Sequence, residues 1–148
     1  MTGCRPAGKA LAVDLGSRRI GIAACDSARS MAFPLEVIER RDDVALDARA
    51  IGRLVGEIGA TTIVVGLPLS LDGSEGPAAQ RARTWAHELA ARLSDVSVVL
   101  FDERLTTVSA TAAMAAAGRS GRAARRRVDA AAATVLLQSW LDARDSQG

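Results

Sequence analysis

Residues 10–25, with the sequence ALAVDLGSRRIGIAAC, contain two apolar runs that flank a short polar turn. Ala10–Leu15 and Ile20–Cys25 are each long enough for a strand, and the glycine and serine between them are typical of tight turns. Because the two runs are so close together in the chain, we predict an antiparallel hairpin. Asp14 interrupts the first run, and a carboxylate in an apolar strand is costly unless it has a partner.

After the hairpin, strands and helices alternate along the chain. A third strand at Phe33–Arg40 is followed by a helix that Asp42 or Asp43 caps, with apolar residues at helical spacing. The remaining predicted elements are a strand at Thr61–Leu67, a loop at residues 68–76, a helix beginning at Pro77, a strand at Val96–Phe101, a helix from Thr106 or Thr107 to near Gly118, a basic loop and helix entry at Arg119–Arg127, and a last helix ending near Arg144. This order predicts an α/β fold, with a mixed sheet of three antiparallel strands and then two crossover strands, and helices on both faces.

The size and composition fit a single domain over residues 1–148, with an ordered core at about residues 10–144. Of the 148 residues, 49% are apolar, which is enough for a core. The longest nearly apolar run, Ala130–Leu137, is much shorter than the roughly 20 residues of a membrane helix. Met1–Lys9 has no apolar segment of the kind found in secretion signals. We therefore predict a cytoplasmic protein without a membrane partner.

The two cysteines indicate neither a zinc site nor a disulfide. Cys4 and Cys25 lack the spacing of zinc ligands, and we predict Cys25 as an ordinary core residue of its strand. The sequence assigns no role to Cys4. Lys9 is the only lysine among 19 basic residues. A GC-rich genome explains such a bias, although the forked guanidinium of arginine also suits phosphate binding.

Acidic residues occupy burial-prone positions on three separate predicted elements. Asp14 lies inside the first strand, and Asp102 and Glu103 follow the fifth strand, at the edge where open α/β sheets bind ligands. Asp129 lies on the apolar stripe of the last helix. Simpler roles remain open: Asp14 could cap the turn, Asp102 or Glu103 could pair with Arg104, and Asp129 could stabilise a helix N-terminus.

A carboxylate cluster of this kind is what a nuclease with two divalent ions requires. Oxygen ligands suit Mg²⁺ and Mn²⁺, which activate a water molecule and stabilise the leaving oxygen. His87, the only histidine, is predicted to be exposed on its helix, which argues against Ser-His-Asp or Cys-His catalysis. We therefore predict hydrolysis of phosphodiester bonds, with Mg²⁺ or Mn²⁺ as the cofactor.

Arginines near these acids are candidates for nucleic-acid binding. Arg18 and Arg19 follow the first strand, and Arg104 follows the fifth. A cluster shortly before Asp129 consists of Arg119, Arg122, Arg125, Arg126 and Arg127. A phosphate backbone bound there would lie near the proposed ions, although a solvated run of charges is the alternative. Likewise, the glycines of the loop at residues 66–76 suit either a bound phosphate or an ordinary turn.

Four motifs resemble those of the YqgF/RuvX family and occur in the same order. They are Asp14-Leu15-Gly16-Ser17-Arg18-Arg19-Ile20-Gly21, then Gly66-Leu67-Pro68-Leu69 with Asp72-Gly73 and Gly76-Pro77, then Asp102-Glu103-Arg104-Leu105-Thr106-Thr107, and finally Val128-Asp129 followed by Ala131, Ala132, Leu136, Leu137 and Gln138. The first fits the pattern D-x-G-x-x-R-I-G. The resemblance covers roughly Ala10 to Leu141, which is nearly the whole chain.

The resemblance implies an RNase H-like fold related to the Holliday junction resolvase RuvC. It also implies a bacterial cytoplasmic nuclease that trims the 5′ end of precursor 16S rRNA. Asp14, Glu103 and Asp129 occupy the positions of the catalytic acids, which are also the metal ligands. In such a fold the strand beside Asp14 is expected to be Thr61–Leu67. Glu103 would then follow the next strand outward, so Asp102 or Asp72 remains an alternative second acid.

Nucleic acid is the expected partner, as structured RNA such as precursor rRNA or as branched DNA, and the ribosomal subunit is a further candidate. Some family members are described as resolving four-way DNA junctions, an activity that favours a two-fold dimer. The sequence leaves monomer and homodimer open. A non-catalytic RNA-binding module of ribosome assembly is the alternative from another class. A sugar-kinase-like ATPase has a similar first loop, but it needs two such domains, which 148 residues cannot provide.

Overall fold

The computed structural model describes residues 8–105 and 122–146, and of residues 122–129, 145 and 146 it describes the backbone alone. The strands in this part of the chain are β1 (Lys9–Leu15), β2 (Arg19–Cys25), β3 (Ala32–Glu39), β4 (Ala60–Leu67) and β5 (Ser97–Asp102). The helices are α1 (Val44–Ile58), α2 (Pro77–Arg92) and α3 (Arg122–Ser146), and a 3₁₀ turn at Glu103–Leu105 follows β5. The helix predicted from Thr106 or Thr107 to near Gly118 lies outside the described residues.

The strands form one mixed sheet in the order β3-β2-β1-β4-β5. The β1–β2 and β2–β3 pairs are antiparallel, whereas β4 pairs in parallel with β1 and β5 in parallel with β4. This arrangement confirms the predicted sheet of three antiparallel and two crossover strands. Strand β1 therefore lies at the centre of the sheet, between the hairpin partner β2 and the crossover strand β4.

Helices cover both faces of the sheet, and each face has its own apolar core. Leu11 and Val13 of β1 belong to the core beneath α1 and α2, whereas Ala10 and Ala12 belong to the core beneath α3. This alternation is the two-residue period of a strand. Because β1 is buried on both faces, its apolar sequence is nearly continuous, as in a central parallel strand.

Helix α1 begins and ends at residues suited to those positions. The Asp43 carboxylate accepts a hydrogen bond from the Ala45 amide at 2.9 Å, and Gly59 ends the helix with a φ of 80°. The same helix buries Asp47, which is only 2% exposed. Its carboxylate accepts hydrogen bonds from the Trp85 indole at 3.3 Å and the Arg41 amide at 3.2 Å. This buried acid was not among the residues predicted from the sequence.

The last helix begins inside the predicted helix entry. Helix α3 starts at Arg122, within the segment Arg119–Arg127 that was predicted as a basic loop and helix entry. Alanine and arginine both have high helix propensity, so a helix accommodates the residues from 122 onwards.

Cys25 is buried and free, as predicted, and Cys4 lies outside the described residues. Among the described residues, no helix has the length and apolar character needed to cross a bilayer.

Candidate active site at the carboxyl edge of the sheet

Strands β1, β4 and β5 run in the same direction and end at one side of the sheet, which we call the carboxyl edge. Asp14 is the penultimate residue of β1, and Glu103 directly follows β5. The two-residue period of β1 places Asp14 on the same face as Ala12, toward α3. The two acids therefore lie at one edge, although the whole of β4 separates their strands.

Gly66 of β4 lets the side chain of Glu103 cross this gap. A Cβ atom at position 66 would lie 3.1 Å from both Cγ and Cδ of Glu103, and 3.3 Å from Cδ2 of Leu136. The Glu103 side chain thus occupies the space above Gly66 that a larger residue would fill. The predicted strand order placed Glu103 one strand too far from Asp14. The glycine at position 66 leaves the room for its side chain to extend over β4.

The surroundings of Glu103 favour its neutral form. Burial raises the pKa of this carboxyl above its usual value, and the negative charges of Asp14 and Asp102 raise it further. No arginine or lysine of the described residues is ion-paired with Glu103. Like charges that raise a pKa at a strand end are typical of functional sites.

Asp102 differs from its neighbour Glu103 because it is tightly paired. Arg104 donates to both carboxylate oxygens of Asp102, with the shortest distance 2.6 Å, and its main-chain N–H donates to the same group at 2.9 Å. These hydrogen bonds hold the pKa of Asp102 below its usual value. Arg104 also donates to the Leu71 carbonyl at 3.3 Å, so it links the end of β5 to the loop after β4.

Asp72, the other alternative acid, is occupied within that loop. Its carboxylate accepts hydrogen bonds from the hydroxyl and the amide of Ser74, at 2.6 and 2.9 Å, and these bonds lower its pKa. The geometry therefore brings Glu103 toward Asp14, whereas Asp102 and Asp72 have partners elsewhere.

Position 129 lies on α3 toward the same edge. Gln138 of α3 accepts a hydrogen bond from the Ala32 amide, and Ala32 pairs with Cys25 at the end of β2, beside the start of β1. Leu136, closer to the helix N-terminus, reaches Gly66 at the end of β4. The helix therefore runs away from the carboxyl edge, and its earlier residues lie toward that edge. Asp129 is one of these, and its side chain is outside the described residues.

The predicted arginines are only partly placed. Arg18 is exposed in the hairpin turn and Arg19 opens β2. Arg104 contacts Asp102 and Leu71 as described. Of the cluster before Asp129, Arg119 lies outside the described residues, and the positions of Arg122, Arg125 and Arg126 are on α3 without described side chains. His87 is exposed on α2, as predicted.

The turn after β1 packs closely, and Arg40 secures it. The Gly16 amide donates to the Arg19 carbonyl at 2.9 Å, and a Cβ at Gly16 would come within 2.7 Å of that oxygen. Arg40 donates from Nη1 to the Gly16 carbonyl at 3.0 Å. A cavity of about 260 Å³ beside this turn is lined by Arg40, Arg81 and Glu103. Sequence reasoning missed both of these arginines, because neither belongs to a local motif with an acid.

The described side chains contain no group of three or more histidine, cysteine or carboxylate ligands. Asp14 and Glu103 are two of the three predicted ligands, and the third, Asp129, is outside that description. The assignment of these three acids as metal ligands stays a prediction.

Comparisons with known proteins agree with this architecture. Residues 8–143 match the model of the RuvX family, described as Holliday junction resolvase. A protein of Kineococcus radiotolerans named "Putative pre-16S rRNA nuclease" is 49% identical over 92% of this chain and 72% of its own length. Proteins of the same name from Anaeromyxobacter sp. (48% identity, 90% of this chain and 96% of that protein) and Streptomyces coelicolor (43%, 95% and 84%) are also similar.

Among solved structures, RuvC of T. thermophilus in complex with a Holliday junction substrate superposes with a TM-score of 0.63. The alignment covers 95% of this chain and 98% of RuvC at 12% identity. A second structure of Thermus thermophilus RuvC gives a TM-score of 0.56. At such identities the likeness shows the fold alone, which is RNase H-like.

Proposed function

The chain belongs to the RuvX family of nucleases, and we propose that it hydrolyses phosphodiester bonds with Mg²⁺ or Mn²⁺ bound at the carboxyl edge. The substrate that we infer is the 5′ end of precursor 16S rRNA, processed in the cytoplasm during ribosome biogenesis. The names of the similar proteins in three bacterial genera support this substrate. The observation that carries the proposal is the Glu103 carboxylate, which extends over Gly66 into the field of Asp14.

The residues at the edge fit a divalent cation. Asp14 and Glu103 supply the oxygen ligands that Mg²⁺ and Mn²⁺ prefer, and Asp129 is the proposed third ligand. Burial raises the pKa of Glu103, and the charges of Asp14 and Asp102 raise it further; a bound cation would offset the cost of charging this carboxyl. When bound, divalent ions activate a water molecule and stabilise the leaving oxygen.

The chain's own residues would position the ligands and the substrate. Glu103 would bind a cation in its ionised form, and Gly66 leaves the room in which its side chain extends over β4. Arg104 holds the neighbouring Asp102 and links it to the loop at Leu71. Arg18, Arg19 and the arginines before Asp129 are proposed to bind backbone phosphates, a contact that positions a strand without reading its sequence.

Resolution of four-way DNA junctions is the second candidate. The description of the RuvX family and the shared fold with RuvC on a junction substrate favour it. Two symmetric cuts require two active sites related by a two-fold axis, so this function predicts a homodimer in solution.

The test combines two substrates with a matched pair of variants. The purified protein, Asp14→Asn and Asp95→Asn are incubated with a precursor 16S rRNA fragment and with a synthetic four-way DNA junction. Each reaction contains Mg²⁺, Mn²⁺ or EDTA, and a parallel series supplies the RNA within precursor small ribosomal subunits. Asp95 is an exposed acid in the turn before β5, at the opposite edge of the sheet, so Asp95→Asn is the control.

We expect cleavage that depends on the metal, is lost in Asp14→Asn and is retained in Asp95→Asn. Preference for the RNA or for the junction decides between the two nuclease functions. Binding of RNA without cleavage under every condition, including the subunit series, would refute the enzyme proposal in favour of an assembly module.

A further inference from the structure

The cavity beside Glu103 carries an inference about how the substrate is held, and this inference rests on the nuclease function proposed above. Three segments that are distant in sequence form it: the turn after β1 with Gly16 and Ser17, the end of β4 with Gly66, and α2 with Arg81. Arg40, which directly follows β3, completes the wall. We call this cavity the arginine pocket. Glu103 and Gly66 belong both to the candidate active site and to the lining of the arginine pocket, so the pocket lies next to the carboxylates.

Arg40 is held in place by its own contacts but keeps an unused donor. Its amide donates to the Arg18 carbonyl at 2.9 Å, and Nη1 donates to the Gly16 carbonyl at 3.0 Å. Its Nε is buried and has no hydrogen-bond partner among the described residues. A buried donor without an acceptor is rare in folded proteins, so this N–H is suited to an oxygen of a ligand.

Arg81 projects from the first turns of α2 and has no ion-pair partner in the described part of the chain. Arg83, two residues later on the same helix, is different. It donates to both oxygens of Glu75, at 2.7 and 3.1 Å, which raises the pKa of Arg83. Of these two arginines, Arg83 is engaged with the protein and Arg81 lines the arginine pocket.

A phosphate group is the ligand that this chemistry fits. Two guanidinium groups present forked donors, which match the oxygens of a phosphate better than those of a neutral group. Gly16 and Gly66 also line the cavity, and each presents only main-chain atoms to it. The carboxylates next door repel a polyanion, so cationic groups on the other side of Glu103 would offset that repulsion where the strand enters.

We propose that the arginine pocket binds a backbone phosphodiester group of the substrate strand, adjacent to the one that is cleaved, with Arg40 and Arg81 as its ligands. The contact sets the register of the strand against Asp14 and Glu103. It does not depend on base identity, since phosphate contacts position a nucleic acid without reading its sequence.

The experiment compares Arg81→Gln with Arg83→Gln, which removes the same charge from the neighbouring exposed position. Arg40→Lys is a third variant, which keeps the charge but removes the Nε donor. Affinity and cleavage are measured on synthetic oligonucleotides that carry the cleavage site, at several salt concentrations. In one series, a single phosphate at each successive position is replaced by an uncharged methylphosphonate. In another, the 5′ end carries either a hydroxyl or a phosphate.

We expect Arg81→Gln to weaken binding roughly tenfold or more, and to reduce the slope of log affinity against log salt by about 0.7 to 0.9. One methylphosphonate next to the cleavage site should weaken binding to the native protein, and it should have a smaller effect in Arg81→Gln, where Arg40 alone still contacts that phosphate. Arg83→Gln should behave like the native protein in all of these measurements. Thermal unfolding of each variant checks that it is folded. If Arg40→Lys is not folded, the results for Arg81→Gln decide the test.

The outcomes separate this inference from the nuclease function. Cleavage with equal affinities and unchanged methylphosphonate profiles for Arg81→Gln and Arg83→Gln would overturn the pocket and leave the nuclease intact. A loss in Arg81→Gln that appears only with a 5′-phosphate would overturn the backbone assignment in favour of a terminal phosphate. If no protein cleaves, the same binding profiles still decide the pocket while the nuclease function fails.

Discussion

Asp47 and Glu103 are two acids at least partly withdrawn from solvent, on opposite faces of the same sheet. The groups that surround the two carboxyls are different. Asp47, between α1 and α2, accepts hydrogen bonds from Trp85 and Arg41. Glu103, on the α3 side, faces the negative charges of Asp14 and Asp102. The first acid is stabilised by the fold, whereas the second is held where the fold opposes its charge. Conflicts of this second kind are expected at functional sites.

The largest effect should follow from Glu103→Gln. A glutamine keeps the shape but loses the charge that binds a cation, so we expect the cleavage rate to fall by at least about a hundredfold, since loss of even an outer partner of a metal site costs roughly 10- to 100-fold. The melting temperature should stay the same or rise, because a repelled charge has been removed. Metal-dependent cleavage and thermal unfolding of the same preparation test both halves. A variant that loses activity together with stability would show that Glu103 is structural.

Asp47→Asn should give the opposite result. The amide offers one acceptor where the carboxylate offered two, and it adds a donor that faces the N–H groups of Trp85 and Arg41. We expect the free energy of unfolding to fall by about 1–3 kcal/mol, the cost of an unsatisfied buried polar group. Urea unfolding measures this loss. Cleavage per folded molecule should not change, and a selective loss of activity would erase the distinction between the two acids.

Gly66→Ala tests the space that brings Glu103 toward Asp14. The new Cβ would lie 3.1 Å from the glutamate side chain, so the carboxylate has to move by a few tenths of an ångström. We expect roughly a tenfold loss in cleavage rate, since a full 1 Å misplacement costs about a hundredfold. Gly56→Ala is the control, because that exposed glycine of α1 has no atom within 4 Å of the added Cβ. The control should be slightly more stable and fully active. Equal activities of the two variants would argue against Gly66 as a positioning residue.

The smallest effect is on the pH dependence of stability. The folded state raises the pKa of Glu103 above its unfolded value, so the neutral form stabilises the fold and this contribution is lost as the pH rises through the folded pKa. The free energy of unfolding of Glu103→Gln should therefore equal that of the native protein below about pH 4 and exceed it increasingly as the pH rises. Glu75→Gln should show the reverse sign, because Arg83 lowers the pKa of Glu75 and its stabilising effect is lost as the pH falls. Unfolding measured across the acid range would detect both trends, and parallel curves for native protein and Glu103→Gln would contradict the first.

Much of the fold could be predicted from the sequence because each strand is a short, dense apolar run. The predicted strand boundaries agree with the structure to within one residue. The buried Asp47 was missed because it occupies the apolar side of α1, where the pattern of Ala48 and Ile51 indicates only nonpolar contacts. Its partner Trp85 is on another helix, and no local pattern links the two.

The site was predictable in its residue types but not in its geometry. The motifs identify Asp14 and Glu103, yet only the strand order shows that β4 separates them and that Gly66 makes the crossing possible. Arg40 and Arg81 could not be found in this way, because they come together only when the end of β3 and the start of α2 meet beside the turn after β1. The role of Asp129 stays a prediction.

The contact between Gly66 and Glu103 also has an evolutionary meaning. A side chain at position 66 and a glutamate at position 103 compete for the same volume, so the two positions cannot diverge independently. A relative with an acidic residue on β4 would not need an acid after β5. A relative with an acid after β5 would need a small residue on β4. We therefore expect residues 66 and 103 to covary among relatives, as a pair that is inherited together or exchanged together.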